Sequence, residues 1–142
     1  MVIALLALQV GRLDNRVTNT DQQAQAAMGT PGAALVALKG TSPVAGTAGT
    51  VTAADLVILP SGSAYVVNRH LPGLGADKTY QLWGVEQNRT VSLGLLGNEP
   101  RAVALTVANS ALIHAYAITA ERAGGVVQTS HAPVAVSGPQ RV

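Results

Sequence analysis

The sequence predicts an all-β protein: an antiparallel β-sandwich of Ig-like or Greek-key type with a short N-terminal helical segment. Three observations carry this. From residue 33 onward, short runs of Val, Ala, Leu, Ile and Thr recur between clusters of Gly, Pro, Ser and Asn. No segment after Gly32 sustains an apolar period of 3.6 residues. The connections are also too short for the crossovers that parallel strands require, so pairing is expected to be antiparallel.

Nine candidate strands follow from those runs: Ala34 to Leu38, Ala48 to Ala53, Asp55 to Leu59, Ser63 to Arg69, Thr79 to Val85, Thr90 to Leu96, Ala102 to Val107, Ala115 to Thr119, and one near Ala132 to Val136. Pro60-Ser-Gly62-Ser63 suits a hairpin, and Glu86-Gln-Asn88-Arg89 is a four-residue connection between two alternating runs. In Thr79 to Val85, alternation puts Tyr80, Leu82 and Gly84 on one face and Gln81, Trp83 and Val85 on the other. Both faces carry large apolar groups, so this strand is expected to be central, with Trp83 anchoring the core or lying beneath a cover. If the indole is buried, Trp83→Ala is expected to cost about 3–5 kcal/mol.

The N-terminal segment, residues 1–32, reads differently. Met1 to Val10 is apolar but for Gln9, and Gly11, Arg12, Asp14 and Arg16 follow. The run is too short to span a bilayer, which takes about 20 residues, and it lacks the basic start of a secretory signal. It fits the outer end of a transmembrane helix whose upstream half precedes Met1, or an amphipathic or core helix. Residues 1–11 are thus expected to end a membrane helix, 12–32 to form a juxtamembrane helix or linker broken at Gly29-Thr-Pro31-Gly32, and 33–142 to form the β-sandwich domain.

Composition narrows the chemistry. The 142 residues are 48% apolar and 11% charged, enough for one folded core and too apolar for a disordered tail. The net charge of +2 comes from scattered residues without a basic stripe, which gives no support to nucleic-acid binding. With no cysteine, disulfides, thiolate metal sites and thiol nucleophiles are excluded.

The side chains that carry chemistry do not assemble into a catalytic or metal set in the sequence. His70, His114 and His131 have no ligand spacing and are expected to be surface or hydrogen-bonded residues. Glu86 and Glu121 are not brought together by any pattern, and Glu121 is expected to make a solvated ion pair with Arg122 or a turn contact. No serine lies in a Gly-x-Ser-x-Gly elbow. Gly124-Gly125 is followed by neither a helix nor Gly-Lys-Ser/Thr, so a bulge or a turn with positive φ is expected in place of a phosphate cradle. The Gly/Pro-rich stretch from Leu71 to Lys78 is the longest such loop in the strand region; loops of this kind often contact partners but more often merely connect. No enzyme activity, cofactor or metal is assigned.

Over residues 33 to 138 the ordered motifs carry a likeness. Leu71-Pro72 precedes Thr79-Tyr80-Gln81-Leu82-Trp83, then come Ser92-Leu93-Gly94-Leu95 and Ile118-Thr119-Ala120-Glu121-Arg122-Ala123-Gly124-Gly125. This series resembles the extracytoplasmic, C-terminal domain of anti-sigma-K factors of the RskA type. Tyr80, Gln81, Leu82, Trp83, Glu121, Gly124 and Gly125 stand at the motif positions, where mainly structural roles are expected. Arg122 stands where the pattern has proline, and Gln128-Thr129-Ser130 where Pro-Thr-Gly is usual.

The resemblance implies the outer regulatory domain of a single-pass membrane anti-sigma factor. Such a domain controls sigma-factor release, and so transcription, by contacts and by gating regulated proteolysis. It implies a sigma factor as partner only through a cytoplasmic domain upstream of Met1, a membrane protease as a second partner, and membrane attachment through the N-terminus; a small-molecule ligand is left open. A secreted or surface-anchored β-sandwich binding module is the alternative, and a small hydrolase or metal-dependent enzyme ranks last.

Overall fold

The computed structural model describes residues 20–41, 51–99, 101–108 and 110–137. Its first element is a helix over 20–28, within the segment expected to be helix or linker. The helix stops where the sequence supplies a stop. Thr30 turns its hydroxyl back to the Ala26 carbonyl at 3.0 Å, and Gly32 takes φ 82°, a conformation that favours glycine.

Eight strands follow: β1 (Ala34–Gly40), β2 (Thr52–Ile58), β3 (Ser63–Asn68), β4 (Lys78–Glu86), β5 (Arg89–Gly97), β6 (Ala102–Thr106), β7 (Ala115–Arg122) and β8 (Ala135–Val136). Every pairing is antiparallel. Both expected hairpins are present: β2 turns into β3 across Leu59–Gly62, and Glu86 pairs directly with Arg89 around Gln87-Asn88.

Two of the nine expected strands merge. Nothing between Ala53 and Asp55 breaks the chain, and β2 runs through Asp55, which pairs with Ala37 and Val67 while its carboxylate accepts a bond from Arg69 at 2.8 Å. The proposed strand start at Ala48 lies outside the described residues. The last expected strand is cut to Ala135–Val136, because Pro133 has no N–H to give a ladder. Beyond the N-terminal helix, the helical content among the described residues is one 3₁₀ turn, Ser110–Leu112.

All eight strands form one continuous sheet, in the order β5-β4-β7-β8-β1-β2-β3-β6. The layers that face each other across the core are therefore parts of a single curled sheet. The core draws Val36 and Leu38 of β1, Leu56 of β2, Val66 of β3, Tyr80 and Leu82 of β4, Leu96 of β5 and Ile118 of β7 into one apolar cluster. Among the described residues, the strand ladder links the two halves of the sheet, β5-β4-β7 and β1-β2-β3-β6, through β8. There Ala117 and Ile118 pair with Val136 and Ala135 on one side, and Lys39 and Gly40 pair with the same two residues on the other.

Candidate functional site

The register between β4 and β7 assembles the site. It sets Thr79 opposite Glu121, Gln81 opposite Thr119 and Trp83 opposite Ala117. With a period of two, these side chains share the face turned away from the core, while Tyr80, Leu82, Ala120 and Ile118 point the other way. Trp83 is 1% exposed, but it does not belong to the central apolar cluster that contains Tyr80 and Leu82. It is covered instead of anchoring the core. Small neighbours, Ala117 on β7 and Ser92 on β5, leave room for the indole, and the loop after β7 closes over this face.

A chain of hydrogen bonds runs from the indole into that loop. Trp83 Nε1 donates to Thr119 Oγ1 at 2.8 Å, and the threonine hydroxyl donates to Glu121 Oε2 at 2.6 Å. Thr129 Oγ1 donates to the same carboxylate oxygen, and His131 Nδ1 lies 2.8 Å from Oε1. The backbone N–H of His131 also donates to Thr129 Oγ1, at 3.1 Å. Among the described residues, no buried side-chain nitrogen or oxygen lacks a partner, as buried polar groups require.

Glu121 therefore differs from its expected role. It is 2% exposed and makes no ion pair with Arg122, which is exposed at the end of β7. Adjacent strand residues face opposite sides of the sheet, so the carboxylate and the guanidinium next to it in sequence diverge. Burial pushes the Glu121 carboxyl upward, but the bonds from Thr119, Thr129 and His131, with the charge of His131, outweigh it and hold the group below its ordinary range. The anion is thus the favoured form, and it ties two loop residues to β7.

Gln81 makes the second tie. Its Nε2 donates to Ser92 Oγ at 2.7 Å and to the Val126 carbonyl at 2.9 Å, and its Oε1 accepts the Val126 N–H at 3.0 Å. Gly124 and Gly125, at φ 93° and 76°, turn the chain so that Val126 meets this amide. The positive-φ turn expected of the Gly-Gly pair is present. A Cβ on Gly125 would stand 2.5 Å from Leu95 Cδ2, the end of an exposed side chain that can turn aside, and 3.1 Å from Gln81 Oε1, which Val126 holds in place, so φ and the Gln81 amide favour glycine here.

A further pair of motif elements meets inside the sheet: Tyr80 donates its hydroxyl to the Pro72 carbonyl at 2.5 Å. The Leu-Pro connection and the Tyr-x-Leu-Trp strand are thus one packing unit. Leu71 is fixed from the other side by Asn68, whose Oδ1 accepts its N–H at 2.7 Å.

The remaining candidates lie apart. His70 Nδ1 meets the Thr52 carbonyl at 2.9 Å, and His114 sits at the start of β7 beside a groove of about 500 Å³ next to the β4–β5 hairpin. Glu86 occupies the opposite end of β4 from Thr79, the residue paired with Glu121, and it bonds Arg89 at 2.7 Å. Only His131 of the three histidines reaches Glu121. Among the described residues, no three His, Asp or Glu side chains are grouped to hold a metal. Two members of the network, Thr119 and Thr129, were not singled out by sequence reasoning. The alternation of Thr119 with Glu121 along β7 carries a signal for the first; for Thr129 the signal is that Gln128-Thr129-Ser130 keeps the threonine of the usual Pro-Thr-Gly.

A family model described as anti-sigma-K factor rskA, C-terminal, matches residues 1–135. The match extends the ordered motifs, which begin near residue 33, through the N-terminal segment. No curated protein and no solved structure gives a match. Motif order, an antiparallel β-fold that packs those motifs into one unit, and a family match over nearly the whole chain agree: this chain belongs to the anti-sigma-K factor C-terminal domain family.

Proposed function

We propose that this is the extracytoplasmic regulatory domain of a single-pass membrane anti-sigma factor, and that it governs sigma-factor release by its contacts and by limiting protease access. Membership in the family makes the domain part of a regulator of a sigma factor, in a family without enzymatic members. The observation that carries the finer reading is the use to which the motif residues are put. Gln81, Thr119 and Glu121 spend their polar groups on fixing the 123–131 loop over Trp83, a structural use of the motif.

A well-tied outer domain resists the local opening that proteolysis requires. Release would then follow when a contact loosens it. Attachment to the membrane falls to the apolar run from Met1 to Val10 and whatever precedes it. No helix among the described residues is long and apolar enough to cross a membrane, and residues 1–19 lie outside them.

The test is a cell carrying a sigma-dependent reporter and the regulator in its native reading frame, with and without residues 33–142. The proposal expects deletion to change reporter output together with the cleavage pattern of the regulator on a blot. An unchanged reporter and unchanged cleavage would reject it in favour of a surface-anchored binding module.

A further inference from the structure

Along β4 and β7, the face that looks into the curled sheet carries three successive cross-strand pairs: Leu82 with Ile118, Tyr80 with Ala120, and Lys78 with Arg122. Each pair lies about 7 Å beyond the last, two residues of strand rise. The first is in the core. The second walls a cavity of about 300 Å³ at the end of the sheet, whose other walls include Val51, Leu71, Leu74 and Val134. The third borders an adjoining cavity of about 480 Å³, which shares Ala120 and Val134 with the first and is also lined by Asp77, Glu121 and His131. One face thus passes from closed apolar core, through an apolar cavity, to a pair of cations.

The protein itself gives that pair no reason to be there. Like charges directly opposite on neighbouring strands destabilise a sheet. Among the described residues, neither Lys78 nor Arg122 comes within ion-pair distance of a carboxylate. The two acids beside them are directed elsewhere. Glu121 is buried and held by Thr119, Thr129 and His131, and Asp77 folds back over its own loop, with Oδ1 2.9 Å from the place a Cβ on Gly75 would take.

We infer that this end of the sheet binds a small amphipathic anion, its hydrocarbon chain in the apolar cavity and its carboxylate between Lys78 and Arg122. Cavities at the ends of curled sheets are a common place for such ligands. A volume of about 300 Å³ equals about ten water volumes, which suits a chain of roughly ten carbon atoms. The guanidinium of Arg122 offers the carboxylate a two-pronged donor, and Lys78 adds a mobile point charge.

The experiment is isothermal titration of the purified chain with decanoate, decanol and decyltrimethylammonium, each below its aggregation limit, and flotation with vesicles of phosphatidylcholine and phosphatidylglycerol. Decanoate is expected to bind saturably, one per chain, and the decyl cation not to bind. Replacing both cations, Lys78→Gln with Arg122→Gln, is expected to weaken decanoate at least about tenfold, the loss of one charge-assisted contact, and to leave decanol unchanged. Val134→Phe is expected to abolish both, with Trp83 fluorescence reporting an intact fold. The charge variant alters only exposed side chains, so it decides the matter even if the cavity variant does not fold. Absence of saturable decanoate binding, equal binding of the decyl cation, indifference to the charge variant, or attachment to vesicles without binding of free decanoate would each overturn the inference.

Discussion

Trp83 and Glu121 lie on different strands and are connected through a single hydroxyl: Thr119 Oγ1 accepts the indole N–H at 2.8 Å and donates to the carboxylate at 2.6 Å. One small side chain thereby links the only tryptophan of the chain to the anion that secures the covering loop. Replacing Thr119 by Val keeps the shape and removes both bonds. Because a buried donor and a buried carboxylate are then each left short of a partner, the loss is expected to be about 2–3 kcal/mol. Urea unfolding followed by Trp83 fluorescence measures it, and a loss below a few tenths would mean that the relay is not part of the fold's stability.

Acid sensitivity follows from the same carboxylate. A folded-state pKa depressed below the unfolded value gives stability that is present above the unfolded pKa and is lost as pH falls through the folded one. The wild-type chain is therefore expected to lose stability on acidification below the ordinary carboxylate range. Glu121→Gln should be less stable at neutral pH and should show a flatter acid limb. Parallel limbs for the two proteins, read from thermal midpoints across that range, would assign the acid response to other groups.

Gln81 is expected to control how firmly the loop is held. Gln81→Leu removes three hydrogen bonds, two of them to the backbone of Val126, and is expected to destabilise by about 1–3 kcal/mol. The loss should be local. Amide exchange should rise around Val126 and Thr129 while the β2–β3 hairpin keeps its protection, and a uniform rise across the sheet would contradict the assignment.

The two glycines of the turn are expected to differ. At Gly124 a Cβ would meet nothing within 4 Å, so Gly124→Ala carries only the backbone cost of a positive φ, about 1–2 kcal/mol. Gly125→Ala adds a contact at 3.1 Å with Gln81 Oε1, which is fixed by the Val126 N–H, while exposed Leu95 can turn aside, so it should cost somewhat more. Equal unfolding midpoints for the two variants would show that the loop shifts away from β5 freely.

Much of this architecture was legible in the sequence because it rests on local signals. The break after Met28, the two hairpins and the face alternation of β4 follow from Gly, Pro and period-two patterning, and each is found in the structure. The merger of two candidate strands into β2 was not legible, since Asp55 looks like a boundary until Arg69, just past the end of β3, is seen to pair with it. The partners of Glu121 were hidden for a related reason. Arg122 is its neighbour in sequence, but the pleat sends the two apart, and the groups that reach it come from a loop whose path depends on Gly124 and Gly125. The family resemblance supplied the motif positions; the cross-strand register supplied the contacts their side chains make.

The two-residue strand β8 has a consequence for how the chain reaches this structure. Its pairing with β1 links residues separated by most of the described length, whereas β2–β3 and β4–β5 close over short turns. Loop closure makes the distant pairing the slower event. The two hairpins are thus set to form early and the Ala135–Val136 joint with β1 late, and until it forms the shared core stays open along one side. The rate at which this protein becomes complete should accordingly be governed by its smallest strand, so that substitutions at Ala135 slow refolding out of proportion to the area they bury.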